Sequence, residues 1–223
     1  VEAGAADRIR PGSRAIFLHK VTLEVLERIR AGLGWALVRH GLAWRTKRTF
    51  FRGREVFSRT YAAAPAGVLP AATSLPQVVT EAVLLEACRG AGVEFVWNCD
   101  VAAASAGADG VTLTAADGTP IAARYVIGAD GSRSAVRESA GIRLEGPRTS
   151  SAFVIVDTAE DPADPLPVER VFHYEHPDVG FRNVLFVPFA GHWRVDLQCL
   201  PGDDPEAYSS GAGVREWLAR VMR

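Results

Sequence analysis

The stretch Tyr125-Val-Ile-Gly-Ala-Asp-Gly-Ser-Arg-Ser-Ala-Val-Arg137 decides the fold of this chain. The apolar run from Ile121 to Ile127 predicts a β-strand, Gly128-Ala-Asp-Gly131 predicts a tight turn, and the residues from Ser134 to Gly141 predict a short helix. Glycines let a ligand approach the backbone closely, and a carboxylate at the end of a strand accepts hydrogen bonds from hydroxyl groups. The unit therefore predicts a ligand-binding turn, with an ordinary Asp-Gly turn as the alternative.

The composition is that of an ordinary globular protein. Among 223 residues, 25 Lys and Arg face 26 Asp and Glu, and the formal charge of -1 provides no field to attract nucleic acid or an anionic membrane. No run approaches the roughly 18 apolar residues of a membrane span. Cys88, Cys99 and Cys199 are far apart and predict neither a disulfide framework nor a zinc site. We expect a cytoplasmic protein with a small-molecule partner.

The first part of the chain predicts helices and a hairpin. Apolar residues at helical spacing predict a helix over residues 20–31, and a second, short helix follows from Trp35 to His40. Residues Thr46 to Arg59 predict a hairpin that turns at Arg52-Gly53. Ser74 is expected to cap a helix whose body runs from Val78 to Cys88.

The second part of the chain predicts mainly strands. Val93 to Asn98 and Val111 to Ala115 are strand-like, and Asp117-Gly118 predicts the turn that follows the second of them. Alternating patterns predict four more strands, at Ala152–Asp157, Arg170–Tyr174, Asn183–Pro188 and Trp193–Gln198. Antiparallel strands without helices between them predict a sheet domain distinct from an α/β part.

Two other patterns suggest a binding site but are also typical of ordinary structural positions. His173 and His176 could suggest a metal, but they lie in a strand-to-turn region without helical ligand spacing, so no metal site is predicted. Arg45, Lys47 and the arginines after them form a basic run beside aromatic residues, which on a hairpin is more often a solvated face than a nucleic-acid platform.

Several motifs resemble segments of one protein family and follow one another in the same order as in that family. The run from Tyr125 to Arg137 resembles the Asp-Gly fingerprint of the flavoprotein aromatic hydroxylases, the p-hydroxybenzoate hydroxylase family of FAD monooxygenases. Pro11-Gly-Ser-Arg-Ala-Ile16 and Leu75-Pro-Gln77 resemble two of its cofactor segments. Trp193–Gln198 and Asp203-Asp-Pro-Glu206 resemble the substrate-domain sheet of members related to hydroxyphenylpropionate hydroxylases.

The resemblance implies a set of cofactor-binding residues. Arg14 would fork onto pyrophosphate oxygens, the amide of Gln77 would touch the flavin, and Glu2 would bind ribose hydroxyls at the end of a strand. Asp130 and Arg137 would serve FAD and nicotinamide binding or hold the loop that does. The implied set is Glu2, Arg14, Gln77, Asp130, Gly131 and Arg137. No general acid or base is assigned, because the cofactor carries the chemistry.

The implied architecture is α/β with a β-rich second part. Residues 1–147 are expected to form an incomplete Rossmann-like FAD-binding domain, with a hairpin insertion at about residues 45–73. Residues 148–223 are expected to form a truncated β-sheet (α+β) substrate domain. The family's G-x-G-x-x-G loop would precede Val1 and a later Gly-Asp fingerprint would follow Arg223, so both ends are expected to be cut.

The implied activity of the intact enzyme is aromatic hydroxylation. FAD would be reduced by NAD(P)H, react with O2 and transfer one oxygen atom to a phenolic ring. One alternative is a flavin oxygenase that acts on a polyketide, an alkene or a non-phenolic ring, since the fingerprint marks the cofactor machinery and not the substrate. An alternative of another class is a non-catalytic remnant that cannot hold FAD alone.

Overall fold

The structure, a computed structural model, describes residues 1–9, 12–146 and 152–222. In chain order its elements are β1 (Phe17–His19), α1 (Lys20–Ile29), α2 (Leu33–His40), β2 (Leu42–Ala43), β3 (Thr46–Phe51), β4 (Arg54–Thr60), β5 (Ala72–Ser74), α3 (Gln77–Gly90), β6 (Val101–Gly107), β7 (Gly110–Ala115), β8 (Pro120–Ala123), α4 (Ala135–Ser139), β9 (Ala152–Ala159), β10 (Glu169–His176), β11 (Arg182–Phe189), β12 (His192–Cys199), α5 (Pro205–Ser209) and α6 (Gly211–Val221). This mixture of helices and sheets confirms the α/β class, and the helices predicted near residues 20–31 and 35–40 are α1 and α2.

The chain forms two compact units. The smaller unit comprises Val1–Arg10 and Ala91–Thr149, and the larger comprises Pro11–Gly90 and Ser150–Arg223. These units are defined by how the chain packs, and they do not test how it divides by function. The functional boundary expected between residues 147 and 148 lies outside the described residues and stays a prediction. Pro11 of the predicted cofactor segment also lies outside the described residues.

A six-stranded sheet dominates the larger unit. Its strand order is β4-β3-β10-β11-β12-β9, and all neighbours are antiparallel except the parallel pair of β3 and β10. The four strands predicted after residue 151 are confirmed as β9 to β12. The predicted hairpin is also confirmed, and the positive φ angles of Arg52 (50°) and Gly53 (79°) suit its two-residue turn. The hairpin joins this sheet through β3.

The two faces of this sheet differ in what covers them. One face packs against α6, where Trp217 lies among Val184, Val195 and Leu197 in a buried cluster. Ser210 caps α6, since its Oγ accepts a hydrogen bond from the Gly213 amide at 3.0 Å. The opposite face, called the polar face below, carries the side chains that alternate with that core: Arg170, Phe172, Leu185, Val187, Arg194 and Asp196.

Helices α1 to α3 pack beside a small sheet in the same unit. This three-stranded sheet has the order β1-β5-β2, and Leu23, Leu37 and Leu75 are buried in the adjoining core. The expected capping role of Ser74 is wrong. Ser74 belongs to β5, where it pairs with Leu42 and its buried Oγ accepts a hydrogen bond from Trp44 Nε1 at 2.8 Å, so the helix begins only at Gln77.

The smaller unit contains the antiparallel sheet β6-β7-β8 and the short helix α4. The strand at residues 111–115 and the turn at Asp117-Gly118 are confirmed, with the Thr119 amide donating to Asp117 Oδ1 at 2.9 Å. The strand predicted up to Ile127 is too long. Val111 pairs with Ala123 and β7 begins one residue earlier, so β7 offers no further partner beyond Arg124. Tyr125 and Ile127 are exposed.

A second strand prediction in this unit is also wrong. Residues 93–98 form no strand, and within the described residues their backbone hydrogen bonds to the start of the chain involve Glu2 and Gly4, with the Asn98 amide donating to the Gly4 carbonyl at 3.2 Å. The Glu2 amide donates to the Val96 carbonyl at 2.9 Å, and the Cys99 amide donates to the Glu2 carbonyl at 3.0 Å. Two such bonds fix the position of Glu2 without building a ladder.

No helix in residues 1–9, 12–146 and 152–222 has the length and apolar character needed to cross a bilayer. Cys88, Cys99 and Cys199 are free thiols.

Candidate functional site

The loop before β1 carries Arg14 and is fixed by hydrogen bonds to the carboxylate of an aspartate. The buried Ser13 donates its amide to Asp157 Oδ2 at 2.7 Å and its hydroxyl to Asp157 Oδ1 at 2.6 Å. Both oxygens of one carboxylate on β9 therefore bind one loop residue. Gly12 and Arg14 have φ angles of 76° and 48°, so the backbone turns sharply on both sides of Ser13.

Gln77 holds the same loop from the start of α3. The Ala15 amide donates to Gln77 Oε1 at 3.2 Å, and the Gln77 amide donates to the Ser13 carbonyl at 2.9 Å. Gln77 Nε2 donates to Glu81 Oε1 at 2.7 Å. The structure thus brings the predicted residues Arg14 and Gln77 together, with the Gln77 side chain positioning the loop.

This arrangement leaves the Arg14 side chain exposed. None of the described residues forms an ion pair or a hydrogen bond with its guanidinium. The fixed backbone and the unoccupied Arg14 guanidinium suit an anionic ligand, because a guanidinium can donate two parallel hydrogen bonds to two phosphate oxygens. Ile16 completes the loop by packing into the apolar cluster of Val187 and Phe189, at the polar face of the sheet.

In the smaller unit, Asp130 is fixed by the residues that follow it. Its Oδ1 accepts a short hydrogen bond from the Ser134 hydroxyl, and its Oδ2 accepts from the Val136 amide at 3.2 Å. These two bonds, the Ser134 bond first, hold the pKa of Asp130 below its ordinary value. The Ser134 Oγ also accepts from the Arg137 amide at 3.0 Å and so caps α4, which confirms the predicted helix.

Glycines let this turn close. Gly131 has a φ of 83°, a conformation that side chains disfavour. A Cβ at Gly128 would lie 2.9 Å from the Val136 Cβ, so the turn approaches α4 closely. Arg137 folds back over the turn, donating from Nη1 to the Ser132 carbonyl at 2.8 Å and from Nη2 to Glu138 Oε1 at 2.7 Å. Its observed contacts are those of a residue that holds the loop.

Glu2 lies in the same unit, and one of its two carboxylate oxygens accepts hydrogen bonds. Oε1 accepts from the Gly4 amide at 2.9 Å and from Arg8 Nη1 at 2.6 Å. Among the described residues, no donor binds Oε2. The carboxylate is therefore oriented locally and keeps an acceptor for hydroxyl groups.

The polar face holds charged residues that the sequence motifs did not identify as a site. Arg194 Nε and Nη2 donate to Asp196 Oδ1 and Oδ2 at 2.7 and 3.0 Å, and both side chains are largely buried. Burial lowers the pKa of Arg170, and the nearby Tyr174 and Asp196 oppose that shift. Alternation along β10 places Arg170, Phe172 and Tyr174 on one face, and this was the available sequence signal.

His173 and His176 belong to an aromatic cluster on the opposite face. The His173 ring stacks on Phe50 at 4.7 Å, lies 4.7 Å from the His176 ring and meets Phe186 edge-on at 5.8 Å. Burial, followed by repulsion from His176, lowers the pKa of His173 to about 4. Within the described parts of the chain, no three His, Cys, Asp or Glu side chains are grouped to hold a metal.

Comparison with known proteins gives long and short matches. The chain is 34% identical over 210 residues to 6-methylpretetramide 4-monooxygenase of Streptomyces rimosus. This alignment covers 90% of this chain and 36% of that protein. It is 41% identical over 71 residues to 3-(3-hydroxy-phenyl)propionate/3-hydroxycinnamic acid hydroxylase of Mycobacterium sp. (strain JLS), covering 31% of this chain and 12% of that protein. The chain thus spans about a third or less of these relatives.

A solved structure shares the fold. The structure of pqsL, a probable FAD-dependent monooxygenase from Pseudomonas aeruginosa, superposes with a TM-score of 0.76 at 20% identity, covering 98% of this chain and 58% of that one. The model of the FAD binding domain family matches residues 1–210. By this match across nearly its whole length, the chain belongs to the FAD binding domain family.

Proposed function

We propose that this chain is the FAD-binding part of a monooxygenase that hydroxylates an aromatic substrate with NAD(P)H and O2. The observation that carries the proposal is the loop Gly12–Ile16, which is fixed by Asp157 and Gln77 and leaves the Arg14 guanidinium free. It lies within a chain that matches the family model over residues 1–210. The names of the relatives, a monooxygenase and a hydroxylase, support the activity.

The residues fit FAD by the chemistry of their free groups. Arg14 would bind pyrophosphate oxygens, and the unused Oε2 of Glu2 would accept from ribose hydroxyls. Asp130 presents a charged carboxylate beside Gly131, and Arg137 would hold that turn. Gln77 would act through the loop, with its second amide hydrogen as the group left for the flavin. These six assignments are proposals.

FAD, when bound, would supply the redox chemistry with NAD(P)H and O2. The protein groups would bind, orient and exclude water, so no catalytic acid or base is proposed. In functional terms we assign residues 1–147 to FAD binding and 148–223 to the substrate domain. A cytoplasmic location is part of the proposal and is supported by the three free thiols.

A second candidate is a flavin oxygenase acting on a polyketide or another non-phenolic substrate. It is favoured by the 6-methylpretetramide relative, whose alignment covers 90% of this chain, whereas the hydroxyphenylpropionate relative covers 31%. Both candidates share the cofactor residues and differ in the substrate.

The experiment is to purify the protein, record its visible absorption with and without added FAD, and follow NAD(P)H oxidation with candidate substrates. The proposal expects bound flavin and oxidation that rises with a substrate and yields a hydroxylated product. Phenolic and polyketide substrates separate the two candidates. A colourless protein that also fails to bind added FAD would instead support the non-catalytic remnant.

A further inference from the structure

The face of the six-stranded sheet that packs against α6 borders a cavity of about 190 Å³. Val171 and Phe186, which pair across β10 and β11, line the cavity from the sheet, and Met222 lines it from the end of α6. The residues that line it all belong to the larger unit. The cavity therefore lies on the side of the sheet opposite to the polar face.

The lining of this cavity is mainly apolar and aromatic. It includes the rings of Phe50, Phe186 and Trp193, and the last two belong to the buried cluster around α6. The Trp193 indole already donates its Nε1 hydrogen to Glu160 Oε1 at 3.2 Å, so it offers the cavity an apolar surface. An apolar cavity of about 150 Å³ can hold a benzene molecule. The size and the lining therefore suit one aromatic ring with small substituents.

His173 lines the same cavity and has unused hydrogen-bonding capacity. Its Nδ1 is buried and, within residues 1–9, 12–146 and 152–222, has no hydrogen-bond partner. Nε2 also forms no hydrogen bond with the described residues, and it is the ring nitrogen that stays accessible. Stacking on Phe50 and the edge-on contact with Phe186 hold the imidazole in place. A polar ring without a partner in apolar surroundings costs free energy, which a hydrogen bond from a ligand offsets.

The charges around the cavity favour an uncharged ligand. Arg48 donates from Nε to Glu169 Oε2 and from Nη1 to Glu55 Oε2, both at 2.9 Å, so one guanidinium faces two carboxylates. Burial, followed by repulsion from His176, lowers the pKa of His173, so its imidazole is neutral near neutral pH. One nitrogen of a neutral imidazole donates and the other accepts. A hydroxyl group can do both, and it therefore pairs with either tautomer.

We propose that this cavity binds a small, uncharged aromatic molecule whose hydroxyl group forms a hydrogen bond with the His173 imidazole. The ring of the ligand packs among Phe50, Phe186 and Trp193. Such a ligand joins β3 and β10 to the end of α6 and stabilises the folded state by mass action. The proposal does not rest on FAD binding or on monooxygenase activity, because the residues that carry it lie on the α6 face of the sheet.

The test uses an NMR reporter at the cavity itself. Met222 is the single methionine of the sequence, so methionine labelled with ¹³C at its methyl group gives a signal at the cavity, which Met222→Leu assigns. p-Cresol and toluene, which differ by one hydroxyl group, are titrated into the purified protein near neutral pH. Both should shift the Met222 signal saturably, and p-cresol should bind about fivefold more tightly, as expected for one net hydrogen bond.

Three variants separate the role of His173 from that of the cavity. His173→Phe keeps a ring beside Phe50 but removes the nitrogens, so it should bind p-cresol and toluene with equal affinity. Leu166→Trp, in the loop before β10, fills the cavity and should abolish the shift by either probe. The matched control is His19→Phe, the same substitution at an exposed position, which should keep the wild-type preference.

Thermal unfolding should show that all variants are folded. The proposal is overturned if p-cresol gives no saturable shift in the wild type or binds no more tightly than toluene. It is also overturned if the preference for p-cresol survives in His173→Phe, or if the Met222 shift persists in Leu166→Trp. FAD binding, titrated separately, reports on the monooxygenase proposal, so either idea can fail alone.

Discussion

At the scale of single residues, local hydrogen bonds decide which groups are free to bind a ligand. Asp130 is oriented by Ser134 and Val136, Glu2 by Gly4 and Arg8, and in both cases the partners are near in sequence. Such short-range bonds fix charge without burying it. The two carboxylates remain accessible to solvent.

We predict that Ser134→Ala raises the pKa of Asp130 towards its ordinary value of 3.8, because the Ser134 hydroxyl is the largest cause of its depression. The pKa is measured by NMR titration of the Asp130 side-chain carboxyl. Ser132→Ala is the matched control, since Ser132 takes part in the turn through its backbone carbonyl, which the substitution keeps. An identical Asp130 pKa in both variants would show that the serine hydroxyl does not stabilise the carboxylate.

His173 should make stability depend on pH. Its pKa is about 4 in the folded protein and near 6.5 when unfolded, so above pH 6.5 both states are neutral and its full contribution is present. As the pH falls from 6.5 to 4, the unfolded state takes up the proton first and stability is lost. Allowing for partial solvent exposure of the ring, we expect the loss at pH 5 to be about 1 kcal/mol.

The measurement is urea unfolding at pH 7 and pH 5. His173→Phe should reduce the loss of unfolding free energy between the two pH values, whereas His40→Phe, at an exposed position of α2, should leave it as in the wild type. The same loss in His173→Phe as in the wild type would assign the pH dependence to other groups.

At the scale of elements, the loop Gly12–Ile16 owes its shape to contacts with β9 and α3. Asp157→Ala would leave the buried amide and hydroxyl of Ser13 without their acceptor. We predict a loss of about 1–3 kcal/mol in unfolding free energy and faster hydrogen exchange at the Ser13 amide. Asp164→Ala, in an exposed loop of the same unit, is the control and should change neither quantity. Unchanged exchange at Ser13 would mean that Asp157 does not hold the loop.

Elements with local signals were predictable from the sequence. The spacing of apolar residues identified α1 and α2, the Arg52-Gly53 turn identified the hairpin, and alternation identified β9 to β12. Elements that depend on distant partners were not. Residues 93–98 and 125–127 have strand-like composition but lack strand partners among the described residues, and Ser74 was taken for a cap because its pairing with Leu42 is not visible in the sequence.

In the candidate site, too, some residues were predictable from the sequence and others depend on distant segments of the chain. Arg14 and Gln77 were named from motif resemblance, but the carboxylate of Asp157 that holds their loop is far away in sequence from Ser13. The parallel pairing of β3 with β10, which places Lys47 beside Arg170, joins equally distant segments. The sequence could therefore propose cofactor residues, whereas the polar face is assembled only by the fold.

At the scale of the whole molecule, the family match and the fold agree. The chain matches the FAD binding domain family over residues 1–210 and shares its fold with a solved probable FAD-dependent monooxygenase. It spans 36% of its 6-methylpretetramide relative, so the activity of the whole protein stays a proposal. Binding of FAD is the step on which the proposed monooxygenase activity depends.

The most direct test is a titration of FAD with the purified protein, followed by flavin fluorescence, in the wild type, Arg14→Ala and Arg39→Ala. The two arginines are both exposed and lie in the same unit, so the substitutions change charge equally. The account predicts saturable binding that Arg14→Ala weakens about tenfold or more and Arg39→Ala leaves unchanged, since a guanidinium–phosphate pair is charge-assisted. Absence of saturable binding in the wild type, or equal affinities in the two variants, would contradict it.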